Sequence, residues 1–168
     1  PCLVHGDPRH MLLRSLDVDP GAHDAVPALR TLFADQNHAV RATAAAALLG
    51  MGRPFDEVAA VIRELSQQGE PGIRASAGRV LGKVRQQDAD EAVSALRVLL
   101  SDPLPRPRIA AARSLGHVGS SRHKQEMIEV LKRALRDQDD AVRATAAGAL
   151  IRWLDGKAGI GKGDPIEG

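Results

Sequence analysis

Asp35–Gly50 reads DQNHAVRATAAAALLG, and Asp137–Arg152 reads DQDDAVRATAAGALIR. These are the outer copies of a fourfold repeat. Aligned on Arg41, Arg74, Arg108 and Arg143, the copies are spaced by 33, 34 and 35 residues. A Leu follows seven residues after each Arg (Leu48, Leu81, Leu115, Leu150). Small residues stand three and four after it (Ala44 and Ala45, Ala77 and Gly78, Ala111 and Ala112, Ala146 and Ala147). Asp35, Gln68, Asp102 and Asp137 stand six before it. A period of this length means a stack of small units, none of which buries its apolar face without its neighbours.

Within each unit the apolar columns have helical spacing. They predict two helices per copy: 22–34 with 37–51, 55–67 with 71–84, 88–101 with 105–118, and 121–136 with 138–154. Asn37 and Asp139 are placed to cap helices, and Asp88 with Glu91 forms a capping-box pattern. Pro71 suits a first turn, and Gly52 and Gly119 suit helix ends. Ala or Gly at the small columns lets backbones approach closely. The fold expected is all-α, a right-handed α-solenoid of four helix pairs. The repeat domain would cover 22–154, in units of about 22–52, 53–86, 87–119 and 120–154. Residues 1–21 would hold the second helix of an incomplete repeat, from the Arg9 and Leu16 spacing. Gly-rich 155–168 reads as a tail or linker.

Composition excludes several classes. The core has no Tyr and only Phe33, Phe55 and Trp153 as aromatics, which favours close-packed helices over a β-sandwich. Cys2 is the one cysteine, so no internal disulfide forms. No apolar run approaches the roughly 20 residues of a membrane span, and no secretory signal is legible. A cytoplasmic protein, or a piece of a longer one starting at Pro1, is expected. The formal charge of +2 is too small to argue for nucleic acid. Yet 18 of the 23 basic residues are Arg, which suits fixed, hydrogen-bonded roles.

The Asp-x5-Arg spacing, the AVRATAA block and the period near 34 resemble HEAT repeats, of the short bacterial type named after phycobilisome lyases. The resemblance covers roughly 22–154. It implies a ladder along the inter-repeat turns, built from Asp35, Asp102 and Asp137 with Arg41, Arg74, Arg108 and Arg143. The ladder should be weakest where Gln68 replaces Asp. The resemblance also implies that second helices line a concave surface. Positions two, five and nine after the ladder Arg point away from the core stripe. They are Thr43, Ala46 and Gly50; Ser76, Arg79 and Lys83; Ala110, Arg113 and His117; and Thr145, Gly148 and Arg152. This set contains no acidic residue. A basic stripe of Arg79, Lys83, Arg113, His117 and Arg152 is therefore expected on the inner face.

Catalytic signals are weak. Gly156–Lys162 matches G-x4-G-K, but no Ser or Thr follows the Lys, and the context for a phosphate loop is missing. The six His residues form no H-x3-H pair and no His-Glu dipeptide, the ligand pattern of the iron-dependent HEAT-repeat deoxyhypusine hydroxylases. His5, His10, Cys2 and Asp7 lie close in sequence without a standard ligand spacing, so no metal or cofactor is assigned. Cys2 lacks a positioned base, and Trp153 reads as a packing residue. The function expected is a non-enzymatic interaction module or scaffold that receives an acidic protein on the basic face. Weak nucleic-acid binding by the same face is the alternative. A chromophore-handling role like that of bilin lyases follows only from the name of the repeat subtype.

Overall fold

The computed structural model describes residues 20–118 and 121–156. Eight α-helices follow one another: α1 (Pro20–Thr31), α2 (His38–Gly50), α3 (Asp56–Ser66), α4 (Pro71–Leu81), α5 (Ala89–Leu100), α6 (Pro105–Leu115), α7 (Lys124–Ala134) and α8 (Asp140–Leu154). Short 3-10 turns lie at Leu32–Ala34, Gln86–Asp88 and Ser121–His123. No strand occurs among the described residues. The incomplete repeat read around Arg9 and Leu16, the Gly119 helix end and the phosphate-loop-like tail lie outside them.

Local chemistry explains most boundaries. The Asn37 side chain accepts from the Ala39 N–H, and Asp139 accepts from Ala141 and Val142, which satisfies orphan donors at the starts of α2 and α8. Pro71 and Pro105 open α4 and α6, where a missing N–H costs nothing. Gly52, at φ 76°, occupies the left-handed position that ends α2. The Asp88–Glu91 capping box is not formed. Asp88 closes a 3-10 turn with φ −104° and ψ 16°, so its carboxylate does not reach the free N–H groups of α5, and Oδ2 is buried without a partner. An extended backbone at that residue is what the motif needs.

The core is a continuous stack. Leu48, Leu81 and Leu115 are fully buried, together with Val58, Leu65, Leu96 and Leu131 from the first helices. Leu150, the same column in the last of the described units, is partly buried. Trp153 fills the space under α8 and donates its indole N–H to the Leu115 carbonyl at 2.7 Å.

The two helix layers stack differently. Second helices pack directly on one another, α4 on α6 and α6 on α8 most extensively, whereas consecutive first helices scarcely touch. Missing side chains permit this. A Cβ built on Gly82 would lie 2.6 Å from Ser114 Oγ, and one on Gly116 would lie 2.9 Å from Ala149 Cβ. A Cβ on Gly78 would meet Ala110 Cβ at 3.3 Å. Close approach in one layer and separation in the other bends the stack, with the second helices inside. The result is an α-solenoid.

Candidate interaction site

The ladder is assembled at the turn between the two helices of each unit. Each ladder Arg donates through Nη1 to the backbone carbonyl six residues earlier: Arg41 to Asp35, Arg74 to Gln68, Arg108 to Asp102 and Arg143 to Asp137, all at 2.7–2.9 Å. The rest of the guanidinium reaches the next unit. Arg74 donates from Nε and Nη2 to both Asp102 oxygens, at 2.7 and 2.9 Å. Arg108 does the same to Asp137, at 2.8 and 2.7 Å. These forks fix orientation as well as charge. Each Asp also accepts the N–H two residues on, from Asn37, Leu104 and Asp139 in turn. One carboxylate therefore shapes its own turn and joins the preceding unit.

Those contacts lower the pKa of two carboxyls. Asp102 is held below its ordinary pKa chiefly by hydrogen bonds from Arg74, with the Leu104 N–H adding to the effect against the opposing cost of burial. Asp137 is lowered in the same way, by Arg108 first and then by the Asp139 N–H. Arg74 and Arg108 are correspondingly raised.

At Gln68 the pattern breaks. Arg41 turns to Glu64, whose side chain is 54% exposed, and to His38 Nδ1, while its buried Nε has no partner. At the other end, among the described residues, Arg143 reaches Asp140 of its own helix and the turn carbonyls.

On the inner face, Arg79, Lys83, Arg113, His117 and Arg152 are all exposed. None of the four Arg and Lys side chains makes an ion pair with a described residue. The Arg79 guanidinium donates to Ser76 Oγ at 2.6 Å. Arg113, His117 and Arg152 are brought onto one surface. Partial burial pushes the His117 pKa down, and the charges of Arg152 and Arg113 push it further. Arg79 and Lys83 extend the surface along α4 and its end. Ala110 departs from the expected outward set: it is buried, because Gly78 lets α4 press against it. Ala46, Ser76 and Thr145 are half-buried.

A second charge pattern, on the outer layer, runs through the same four copies. Eleven residues before each ladder Arg stands a base (Arg30, Arg63, Arg97, Lys132), and seventeen before the last three stands a Glu (Glu57, Glu91, Glu126). Arg30 pairs with Glu57 at 2.7 Å and Arg97 with Glu126 at 2.5 Å, joining successive first helices. Arg63 and Glu91 make no such bond.

A family model for HEAT repeats matches residues 58–151. The chain belongs to the HEAT-repeat family. This is a helical-repeat module of the protein-interaction kind. Two crystal structures of engineered proteins share its fold. One has a TM-score of 0.54 and 21% identity over 76% of this chain and 62% of its own. The other has a TM-score of 0.53 and 21% identity over 83% of this chain and 41% of its own. The HEAT module thus spans less than two thirds of either. A search of curated proteins finds no match. Among the described residues no group of three or more His, Cys, Asp or Glu is placed to hold a metal, and no helix is long and apolar enough to cross a membrane.

Proposed function

We propose that this HEAT module is a non-enzymatic scaffold that receives an acidic segment of a protein partner on its inner face. The observation that carries the reading is the contrast between two sets of arginines. The ladder Arg side chains, and Arg30 and Arg97 of the outer layer, are engaged by carboxylates, whereas Arg79, Lys83, Arg113 and Arg152 face outward with no carboxylate of a described residue against them. Small neighbours such as Gly148 leave room for a ligand backbone beside them. A concave basic surface concentrates field lines on an acidic ligand.

His117 makes the binding pH-dependent. Its pKa is depressed in the free protein. A carboxylate seated between Arg113 and Arg152 offsets their repulsion, raises that pKa and draws in a proton. Affinity for an acidic peptide therefore rises as pH falls through the His range, and His117→Gln flattens the profile. Nucleic acid is the competing ligand. Four cations give at most about four phosphate contacts, hence a log–log salt slope no steeper than roughly −4, and this face has no exposed aromatic ring for stacking bases. Fluorescence anisotropy compares a labelled Asp/Glu-rich peptide with DNA and RNA oligonucleotides at about 0.15 M salt. The peptide should bind, more tightly at pH 6 than at pH 8, and lose affinity in an Arg79, Arg113 and Arg152 triple-Ala variant. Sub-micromolar oligonucleotide binding abolished by the same variant would replace the protein partner with nucleic acid.

A further inference from the structure

The open position in the outer ion-pair series coincides with a groove. Between α3 and α5 lies a space of about 510 Å³, with Phe55, Ala59 and Ile62 on one wall and Ala95, Val98 and Leu99 on the other. Asp56 and Arg63 stand on the first wall and Glu91 on the second. Arg63 and Glu91 are the two residues that would close the junction as Arg30–Glu57 and Arg97–Glu126 close theirs. Val98 is 75% exposed, the most exposed large apolar side chain described. The groove therefore combines an apolar floor with one cation, Arg63, and two anions, Asp56 and Glu91, none of them in an ion pair with a described residue.

We infer that this groove docks an amphipathic α-helix of a partner protein, with an apolar stripe on the floor, a carboxylate toward Arg63 and a Lys or Arg toward Glu91. Three observations select that occupant. Both walls are α-helices whose backbone groups are consumed internally, so an incoming chain finds no sheet edge to pair with. It has to satisfy its own N–H and C=O groups as it sheds water, which a helix does. The lining on α5 runs from Glu91 to Leu99, roughly 12 Å or two turns, which matches anchors at i, i+3 or i+4, and i+7. The lining carries both signs, so a uniformly acidic helix meets Asp56 and Glu91 with like charge and a uniformly basic one meets Arg63. The site is on the outer layer and independent of the inner basic face.

The probes are three fluorescein-labelled, lactam-stapled helical peptides of about 14 residues. They share one leucine stripe and carry Glu on one flank with Lys on the other, Glu on both flanks, or Lys on both. Anisotropy with the full chain should rank the mixed peptide at least tenfold above the other two. Arg63→Glu makes both rims acidic and should move the preference to the Lys-flanked peptide. Val98→Lys should weaken all three at least tenfold. Arg113→Ala, on the inner face, should leave the ranking intact. Circular dichroism and melting curves establish that each variant is folded. Arg63 is exposed and unpaired, so its variant carries the test if Val98→Lys does not fold. Equal affinities for the three peptides, a ranking unmoved by Arg63→Glu, or no saturable binding below roughly 1 mM would overturn the inference.

Discussion

At the scale of single residues, the arginines of this protein divide by geometry. Arg108 is 5% exposed and spends its donors on one carboxylate and two carbonyls. Arg108→Ala strands the half-buried Asp137 carboxylate and is expected to cost about 1–3 kcal/mol, the range for leaving such a polar group unpaired. Arg79→Ala, an ordinary surface change, should stay within about 0.5 kcal/mol. Gln68→Asp is expected to stabilise the protein by about 1 kcal/mol. It offers the unpaired Arg41 Nε a carboxylate and restores the turn contact that Asp102 and Asp137 make to the N–H two residues on. Urea unfolding midpoints of the three variants give the order directly. A neutral or destabilising Gln68→Asp would mean that the turn at Gln68 follows another path.

At the scale of helices, the same change of residue has opposite consequences at two glycines. A Cβ on Gly116 meets Ala149 Cβ and, at 3.0 Å, its Cα, which is backbone and cannot rotate away. Gly116→Ala should therefore lose about 1–3 kcal/mol through overpacking. Gly148 lies inside α8 with nothing within 4 Å, and Gly148→Ala should gain about 0.5–1 kcal/mol from helix propensity. Thermal melts of the two variants, displaced in opposite directions from the parent, are the expected result. Legibility in the sequence follows the same physics. The helix pairs could be read because the ladder Arg, the Leu column and the small columns recur in every copy, and Asn37, Asp139 and Pro71 act through neighbours in sequence. Ala110 was misread because its burial depends on Gly78 in the previous unit, a contact between helices that no single helical period encodes. Asp88 was misread because a motif names residues and not the backbone angles that let them cap. The groove between α3 and α5 stayed hidden for another reason. Arg63 and Glu91 occupy columns that pair elsewhere, so their failure to pair is visible only in three dimensions.

At the scale of the whole molecule, the layers divide the labour. Second helices, drawn together at Gly82 and Gly116, form a closely packed inner spine. The outer layer is held by exposed ion pairs, each worth little. The spine is not uniform. The columns that hold Gly82 against Ser114 and Gly116 against Ala149 hold Leu49 and Val80 at the first junction, and the contact of α2 with α4 is the sparsest of the three. Gln68 interrupts the ladder at that same junction. In a stacked array, stability is close to a sum of unit and nearest-neighbour terms, so cooperativity is only as strong as the weakest coupling. The first helix pair should therefore open as its own unit while the other three remain closed. Its amides in α2 would exchange with solvent by a sub-global opening of lower free energy than those in α4, α6 and α8. Native-state hydrogen exchange reads that difference, and a single common opening free energy would show instead that all four units unfold together.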